Sequence, residues 1–268
     1  MTPEQHQTAA EALFQAERTG TQIGLLSLAH PGMTLDDAYA VQAALVQRKK
    51  AAGRQGIGWK IGLTSRAMQD ALKIDTPDSG VLFDDMLFED GAVIPAGRFI
   101  QPRIEAEIAF LLKAPLQGAG VTREQVLAAT EAVAPALEIL DTRILRADPA
   151  SGRARVVTDT ISDNAANAGI VLGAQRHDPR GLDLRWVGAI LKRDGVVEET
   201  GLGAGVLDDP VTGIVWLVER LARYGQGLAA GEVVLSGSFI RPVEAPPGSV
   251  FDADFGSFGR VRTTFAQG

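Results

Sequence analysis

The sequence predicts an α+β fold in which a helical N-terminal region, residues 1–75, packs against a larger β-rich region, residues 76–268. Capped segments with helically spaced apolar residues dominate the first quarter of the chain. Most of the remainder consists of short apolar or alternating runs separated by Gly, Pro and Asp, a pattern typical of strands and turns. The sequence has no internal repeat, low-complexity tract or long linker, so we expect the two regions to pack directly on one another.

Four segments carry helix signals. Thr2 and Gln5 form a capping-box pattern that opens a helix ending near Gly20. A second helix is expected from Thr34 to near Gly53, and its apolar stripe indicates a packing layer. Two further helices are expected to begin at Thr122 and at Asp209, the latter ending at Gly225.

The β-rich region is expected to contain several short strands. A turn at Arg193-Asp194-Gly195 predicts a hairpin, and the last segment, Phe251 to Phe265, alternates around two glycines. The boundary with the helical region is placed near Asp75. Strands are predicted at residues 58–64, 103–112, 133–143, 168–173, 184–192 and 232–240.

Composition excludes several functional classes. Lys and Arg number 26 against 33 Asp and Glu, and the net charge of -7 has the wrong sign for a face that binds nucleic acid. The chain has no cysteine, which excludes disulfides, thiol nucleophiles and thiolate zinc sites. A catalytic metal would therefore rest mainly on carboxylates, which favour Mg²⁺ or Mn²⁺. The three histidines lie in turns or a terminal helix and resemble neither ligands nor bases: His6, His30 and His177.

No targeting or membrane signal is visible. The N-terminus lacks a basic region followed by an apolar core, and the sequence has no run of about 18 apolar residues. We therefore expect no signal peptide, no membrane partner and a cytoplasmic location.

Three acids stand out in two predicted strands. Alternation along a strand places Arg103, Glu105 and Glu107 on one face, where two like charges repel unless a cation or solvent compensates. A solvated strand face is the competing interpretation. Glu138 lies in an otherwise apolar run, and a buried carboxylate needs a metal, an arginine such as Arg103 or Arg143, or a raised pKa.

A cation also stands out, as a lysine between two glycines. Alternation places Gly58, Lys60 and Gly62 on one face, and such glycines favour close approach of a ligand or another backbone. Lys60 could then act as an acid, a base or a fixed charge. The competing interpretation is a lysine that extends from a glycine-rich edge into solvent.

Two polar segments are less specific. Asp78 lies in a sequence typical of a type I turn and needs no other role on that evidence. Residues 159–164 combine hydroxyls and carboxylates, which is typical of an Asx-turn network or of a substrate-binding loop.

Five segments in order resemble the 2-keto-4-pentenoate hydratase and 4-oxalocrotonate decarboxylase family. They are GWKIGLTS at 58–65, GVLFDDM at 80–86, PRIEAE at 102–107, PALEILD at 135–141 and DTISDNAANAG at 159–169. The resemblance spans nearly the whole chain. This family belongs to the fumarylacetoacetate hydrolase superfamily, so the resemblance implies a mixed β-roll with a helical N-terminal region.

The resemblance also implies site residues. Glu105, Glu107 and Glu138 correspond to ligands of Mg²⁺ or Mn²⁺, with no departure from the family pattern. Lys60 and Asp78 correspond to polar catalytic residues, which gives Asp78 a role beyond a turn. The other implied residues are Ser162 and Asp163 in an active-site loop, and Arg66, Arg103 or Arg143 as the cation for a distal substrate carboxylate.

The implied activity is hydration of a 2-hydroxy-2,4-dienoate or its 2-oxo tautomer. The implied substrate here is a small 2-oxo dicarboxylate, and the implied assembly is a homo-oligomer. Three alternatives stay open. A decarboxylase would use the same scaffold and metal ligands. An acylpyruvate hydrolase usually needs a histidine–glutamate pair, which the poor histidine supply disfavours. The third alternative is a non-catalytic partner subunit, and the intact Lys60 and glutamates argue against it.

Overall fold

The computed structural model describes residues 1–66, 69, 70, 74 and 76–268. The boundary that the sequence places near Asp75 lies outside the described residues. The helices are α1 (Pro3–Thr19), α2 (Leu26–Ala29), α3 (Leu35–Ala51), α4 (Arg123–Ala129), α5 (Val157–Ser162) and α6 (Pro210–Ala222).

The four predicted helices are confirmed as α1, α3, α4 and α6. A threonine precedes each of the first three, and its hydroxyl accepts from the backbone N–H of the third helical residue. The single turn α2 was not predicted. Residues 159–164, expected as a polar loop, form the end of α5 and the turn after it, because Asp159 accepts from the backbone N–H of Val156 and caps this helix.

The six predicted strands are present, five of them with shifted ends. The segment expected from 184 begins as a strand only at Gly188, because Asp183 caps a 3₁₀ turn over Leu184–Trp186. Asp78 is not a turn residue but begins a fully buried strand. The strands are β1 (Gly56–Gly62), β2 (Asp78–Phe83), β3 (Leu87–Glu89), β4 (Val93–Ile94), β5 (Arg103–Leu112), β6 (Leu116–Gln117), β7 (Thr130–Leu140), β8 (Asn167–Leu172), β9 (Gly188–Arg193), β10 (Val196–Leu202), β11 (Gly227–Leu228), β12 (Val233–Ser238), β13 (Val243–Glu244), β14 (Val250–Asp254) and β15 (Arg260–Phe265). Strands β2, β3, β4, β6, β11 and β13 were not predicted.

The larger sheet has the order β2-β1-β12-β5-β7-β8-β3, with β13 added to β5. It is mixed, since β1 runs parallel to β12 and β3 parallel to β8, whereas the central pair β5 and β7 is antiparallel. Strand β1 from the helical region therefore lies inside this sheet, between β2 and β12. The N-terminal region thus contributes an interior strand as well as a helical layer.

The smaller sheet has the order β10-β9-β14-β15-β4. The hairpin predicted between β9 and β10 is confirmed, with Asp194 and Gly195 at φ 53° and 81° as a two-residue turn requires. The final segment is a second hairpin, β14–β15, in which Gly256 and Gly259 adopt positive φ.

The main core lies between the two sheets and α6. Alternate residues of β5, such as Ile104, Ile108 and Phe110, face this core together with Phe251 and other side chains of the smaller sheet. The intervening residues of β5 face the opposite side, which is where the acids lie. A separate apolar cluster joins α1 to α3, and no helix in the described part of the chain is long and apolar enough to cross a membrane.

Candidate active site

Three carboxylates meet on the central strand pair. Glu105 of β5 lies directly opposite Glu138 of β7, and Glu107 follows two residues along the same face. One oxygen from each side chain lies within 4.8 Å of the others. The structure therefore brings together the three residues that the resemblance implied as metal ligands.

Burial makes this arrangement costly without a cation. Glu107 and Glu138 are 1% and 0% exposed, so neither lies on a solvated strand face. Glu107 accepts one bond, 2.8 Å from the backbone N–H of Gly237, but its other oxygen and both oxygens of Glu138 lack a hydrogen-bond partner among the described residues. Unpaired buried carboxylates of this kind fit a divalent cation, which takes oxygen ligands.

The electrostatics of the three acids agree with that fit. Burial raises the pKa of Glu107 well above its usual range, and the charges of Glu138 and Glu105 raise it further. Burial and the charge of Glu138 raise the pKa of Glu105 to about 8. Burial also raises the pKa of Glu138, although Lys60 opposes this effect. The site therefore holds excess negative potential that a cation would neutralise.

Lys60 faces these acids from β1. Its Nζ lies 3.3 Å from Oε1 of Glu138, an ion-pair distance without hydrogen-bond geometry. The lysine is 3% exposed, so it does not extend into solvent. Burial alone would lower the pKa of Lys60, but the carboxylates of Glu138 and Asp78 outweigh burial and raise that pKa.

The arginines first considered as partners of Glu138 are engaged elsewhere. Arg103 pairs with Glu244 at 2.5 Å, and Arg143 pairs with Asp163 at the same distance.

Asp78 lies beside Lys60 because β1 and β2 pair with Gly62 opposite Asp78. A Cβ on Gly62 would overlap the Asp78 carboxylate and lie 2.9 Å from Nζ of Lys60. Burial raises the pKa of Asp78 against the lowering effect of Lys60, and Oδ1 of Asp78 has no hydrogen-bond partner among the described residues. Gly62 therefore supplies the space in which the two ionisable groups meet. Gly58 serves a different purpose, since a Cβ there would overlap the backbone of Val233.

Strand β2 is held by residues that the sequence did not indicate. Asn164 adopts a left-handed conformation, φ 52°, and its side chain pairs with the backbone of Val81 like a neighbouring strand, with bonds of 2.8 and 2.9 Å. Gln42 of α3 donates to Ser79 O at 2.8 Å and to Ile161 O at 3.0 Å. The tolerance of asparagine for positive φ is a sequence signal for the backbone conformation of Asn164. No sequence signal indicates that its side chain pairs with Val81.

The cavity described below is not lined by Ser162, Asp163, Arg143 or Arg66. Ser162 donates to Thr158 O at 2.8 Å, and Asp163 accepts from the backbone N–H and Nε of Arg143 at 2.8 and 2.5 Å. Arg143 also donates to the backbone carbonyls of Asp163 and Asn167. These groups are buried and already paired, so they also support the fold, and their roles in catalysis and substrate binding stay predictions. Arg66 is exposed and does not line the cavity.

A cavity of about 500 Å³ opens above the acids. Lys60, Asp78 and Glu105 line it, whereas Glu107 and Glu138 are buried and do not. Its apolar wall includes Leu63, Val156, Phe239 and Ile240. Besides Lys60, the cations that line the cavity among the described residues are Arg103, Arg146, Arg155 and Arg241.

Known proteins resemble this chain over its full length, although no protein-family model matches it. The 2-oxo-hept-4-ene-1,7-dioate hydratase of Escherichia coli is 50% identical over 260 residues, which cover 97% of each chain. The chain belongs to the 2-keto-4-pentenoate hydratase and 4-oxalocrotonate decarboxylase family. A 2-keto-4-pentenoate hydratase of Paraburkholderia xenovorans (strain LB400), another family member, is 44% identical over 265 residues, 99% of this chain and 96% of the relative.

Solved structures agree with this family and with the predicted fold. A 4-oxalocrotonate decarboxylase from Pseudomonas putida G7, determined with magnesium and adipate, has a TM-score of 0.92 and 33% identity over 99% of this chain and 98% of its own. A fumarylacetoacetate hydrolase from Exiguobacterium antarcticum has a TM-score of 0.57 at 14% identity over 80% of this chain and 76% of its own, and shows the shared fold alone. The α+β fold of the fumarylacetoacetate hydrolase superfamily is therefore confirmed.

Proposed function

We propose that the chain is a hydro-lyase that converts 2-oxohept-4-ene-1,7-dioate, or its tautomer 2-hydroxyhepta-2,4-dienedioate, to 4-hydroxy-2-oxoheptanedioate. The observation that carries this proposal is a cluster of three carboxylates with unpaired buried oxygens, which faces Lys60 in one cavity. The substrate follows from the 50% identity to a hydratase of that name. Such an enzyme would act in the meta-cleavage breakdown of homoprotocatechuate, the ring-cleavage route from 4-hydroxyphenylacetate.

Glu105, Glu107 and Glu138 would hold Mg²⁺ or Mn²⁺. Magnesium in the structure of the Pseudomonas decarboxylase supports this choice of ion class. When bound, a divalent cation supplies Lewis-acid polarisation and a template for the substrate's carboxylate and 2-oxo oxygens. The protein itself holds the three acids close together, because they lie on two adjacent strands. Residues on separate loops would not be placed so closely.

The reaction needs two proton movements besides the addition of water. The 2-hydroxyl loses a proton and C5 gains one, which gives a 2-oxo-3-ene with an electrophilic C4. Water then adds its oxygen to C4, and C3 gains a proton. Lys60 and Asp78 are the ionisable groups placed to move these protons, since both reach the space left by Gly62, and each transfer contributes roughly 10²- to 10⁴-fold to the rate.

Decarboxylation is a second candidate. The 33% identity and TM-score of 0.92 to a 4-oxalocrotonate decarboxylase support it. In that case loss of CO₂ rather than addition of water would accompany the electron rearrangement. Measured CO₂ release from 4-oxalocrotonate, compared with hydration of the seven-carbon substrate, separates the two activities.

The test is turnover of 2-oxohept-4-ene-1,7-dioate and of 2-hydroxypenta-2,4-dienoate, each with Mg²⁺ and with a chelator. We expect the dicarboxylate to be the better substrate and the chelator to remove activity. Glu107→Ala should lower metal-dependent turnover by about 100-fold or more, because a metal ligand is lost. The variant's circular dichroism spectrum and unfolding curve serve as the folding control. Full activity in the chelated enzyme, or in the folded variant, would refute the metal site.

We also propose that the protein works as a cytoplasmic homo-oligomer. Large apolar side chains are exposed near and on the β9–β10 hairpin, with Trp186 at 74%, Val196 at 65% and Val197 at 52%. Val196 and Val197 lie at the turn end of the hairpin and Trp186 precedes its other end, so each end offers an exposed apolar group to a second subunit. Sedimentation velocity of the wild type should therefore show a species larger than one chain, and a monomer at micromolar concentration would contradict this proposal.

A further inference from the structure

We infer that Arg155 binds the distal carboxylate of the substrate and thereby selects dicarboxylates over monocarboxylates. The inference rests on the proposed hydration reaction, which places the C1 carboxylate and the 2-oxo group at the glutamates. Arg155 precedes α5, lines the same cavity as Lys60 and Asp78, and differs from the other cavity arginines in how its charge is compensated.

The other three arginines of the cavity already have acidic partners. Arg103 and Arg146 share the carboxylate of Glu244, at 2.5 and 2.6 Å. Arg241 pairs with Glu199 at 2.6 Å, and its side chain is 79% exposed. A carboxylate that approached any of these arginines would have to compete with an acid of the protein itself.

Arg155 has no carboxylate within ion-pair distance among the described residues. Its Nη1 donates to Oγ1 of Thr142 at 2.6 Å, and its backbone N–H donates to Arg146 O at 2.9 Å. The Thr142 hydroxyl in turn donates to Ile144 O, which fixes its orientation as an acceptor. One edge of the guanidinium is thus anchored, and its remaining N–H donors are left for a planar, bidentate partner such as a carboxylate.

The surroundings of Arg155 call for an anion. Burial lowers the pKa of Arg155, and Arg146, Arg143 and Arg103 lower it further, against the opposing charge of Asp163. A half-buried guanidinium among like charges is costly unless a negative group compensates it. A substrate carboxylate would supply that group only in the complex, so its binding relieves repulsion within the protein.

The position of Arg155 relative to the acids fits a substrate that spans the cavity. Arg155 is near enough to Asp78 that its charge lowers the pKa of that carboxyl. The apolar wall next to it includes Val156, which suits the methylene carbon between the reacting diene and the C7 carboxylate. A monocarboxylate of five carbons would occupy the same reactive end and leave Arg155 unpaired.

The test compares Arg155→Gln with a matched control, Arg153→Gln. Arg153 lies in the same loop, is exposed and does not line the cavity, so it reproduces the change in net charge. For each variant, kcat and KM are measured with 2-oxohept-4-ene-1,7-dioate and with 2-hydroxypenta-2,4-dienoate. Inhibition constants are measured with 2-oxoheptanedioate and 2-oxohexanoate, which lack the double bond and cannot be hydrated.

For Arg155→Gln we expect kcat/KM on the dicarboxylate to fall about 10- to 100-fold, mainly through KM, because a charge-assisted hydrogen-bonded pair is lost. Its inhibition constant for 2-oxoheptanedioate should rise by a similar factor. The values for both monocarboxylates, and all values for Arg153→Gln, should stay within about twofold of the wild type. Arg155→Lys should recover part of the loss, since it restores charge without the planar fork.

Equal losses on dicarboxylate and monocarboxylate would overturn the inference, as would unchanged dicarboxylate kinetics. Failure of the proposed function is a separate result, namely a wild type that does not hydrate the seven-carbon substrate. In that case the dissociation constants of the two saturated compounds, measured by calorimetry, still test Arg155, because their binding needs no turnover. An unfolding midpoint for Arg155→Gln equal to that of Arg153→Gln establishes that both proteins are folded.

Discussion

At the scale of single residues, the absence of a side chain at Gly62 matters as much as the charges beside it. The position opposite Asp78 on the neighbouring strand must stay empty, because Lys60 and the Asp78 carboxylate both reach into that space. The local pattern of a lysine between glycines indicated close approach of a ligand or a backbone. In the structure the two glycines differ. The backbone of β12 lies close to Gly58, whereas the side chains of Asp78 and Lys60 lie close to Gly62.

We predict that Gly62→Ala lowers kcat by about 100-fold, because displacement of catalytic groups by about 1 Å costs that much. The added methyl group would push Asp78 and Lys60 apart while the backbone keeps an ordinary strand conformation. Steady-state kinetics on the seven-carbon substrate measures the effect.

Gly181→Ala is the matched control, since a Cβ there meets no atom within 4 Å and its φ lies outside the left-handed region. It should leave kcat unchanged. Wild-type kcat in folded Gly62→Ala would show that Lys60 and Asp78 do not need that space.

At the scale of elements, a buried ion pair joins the end of β7 to the end of α5. Arg143, just after β7, binds both the side chain and the backbone carbonyl of Asp163, just after α5. The turn that follows Asp163 places Asn164 against β2, the strand that begins with Asp78. Asp163 therefore supports the strands around the site, whereas Thr160, Ala165 and Ala166 of the same segment line the cavity.

For Asp163→Asn we predict a loss of about 3–5 kcal/mol in the free energy of unfolding, because the variant leaves Arg143 buried without its anion. If the residue acts only through the fold, KM for the dicarboxylate stays at the wild-type value at temperatures below the transition. Urea unfolding and steady-state kinetics are the two measurements.

Asp178→Asn is the comparison, since Asp178 pairs with Arg180 in solvent, with side chains 54% and 60% exposed. This exposed pair should contribute little to stability, because solvent screens its charges. Equal stability losses in the two variants, or a large rise in KM for Asp163→Asn alone, would contradict the supporting role.

At the scale of the whole molecule, the acids and the lysine belong to strands far apart in sequence that meet in the larger sheet. Four carboxylates, the three glutamates and Asp78, lie around one lysine, so the ionised site carries excess negative charge. The repulsion between these carboxylates lowers the stability of the folded protein. A bound cation should therefore stabilise the entire fold rather than one loop.

We predict that Mg²⁺ at about 100 times its dissociation constant raises the free energy of unfolding by about 2.7 kcal/mol relative to chelated protein. Glu107→Gln should remove most of this gain and leave chelated protein at least as stable as the wild type, since one buried like charge is gone. Differential scanning calorimetry with Mg²⁺ and with a chelator measures both effects. An equal Mg²⁺ gain in the variant would place the ion elsewhere.

Local sequence patterns predicted the helices with threonine caps, the hairpin at Asp194-Gly195 and the acidic face of β5, because these depend on residues within a few positions of each other. They also indicated that Glu138 needs a charged partner. They did not identify that partner as Lys60, nor Asp78 as the start of a buried strand, because both depend on which strands pair.

Long-range packing determines which arginine is available to a substrate. Arg66, Arg103 and Arg143 were equivalent as cations in the sequence, but one is exposed outside the cavity and the other two are bound to acids more than 15 residues away. Arg155 carries no sequence signal of its own. A local sequence pattern shows which interactions a side chain can make. Which charges pair depends on long-range packing, and that packing leaves Arg155 without an acidic partner among the described residues.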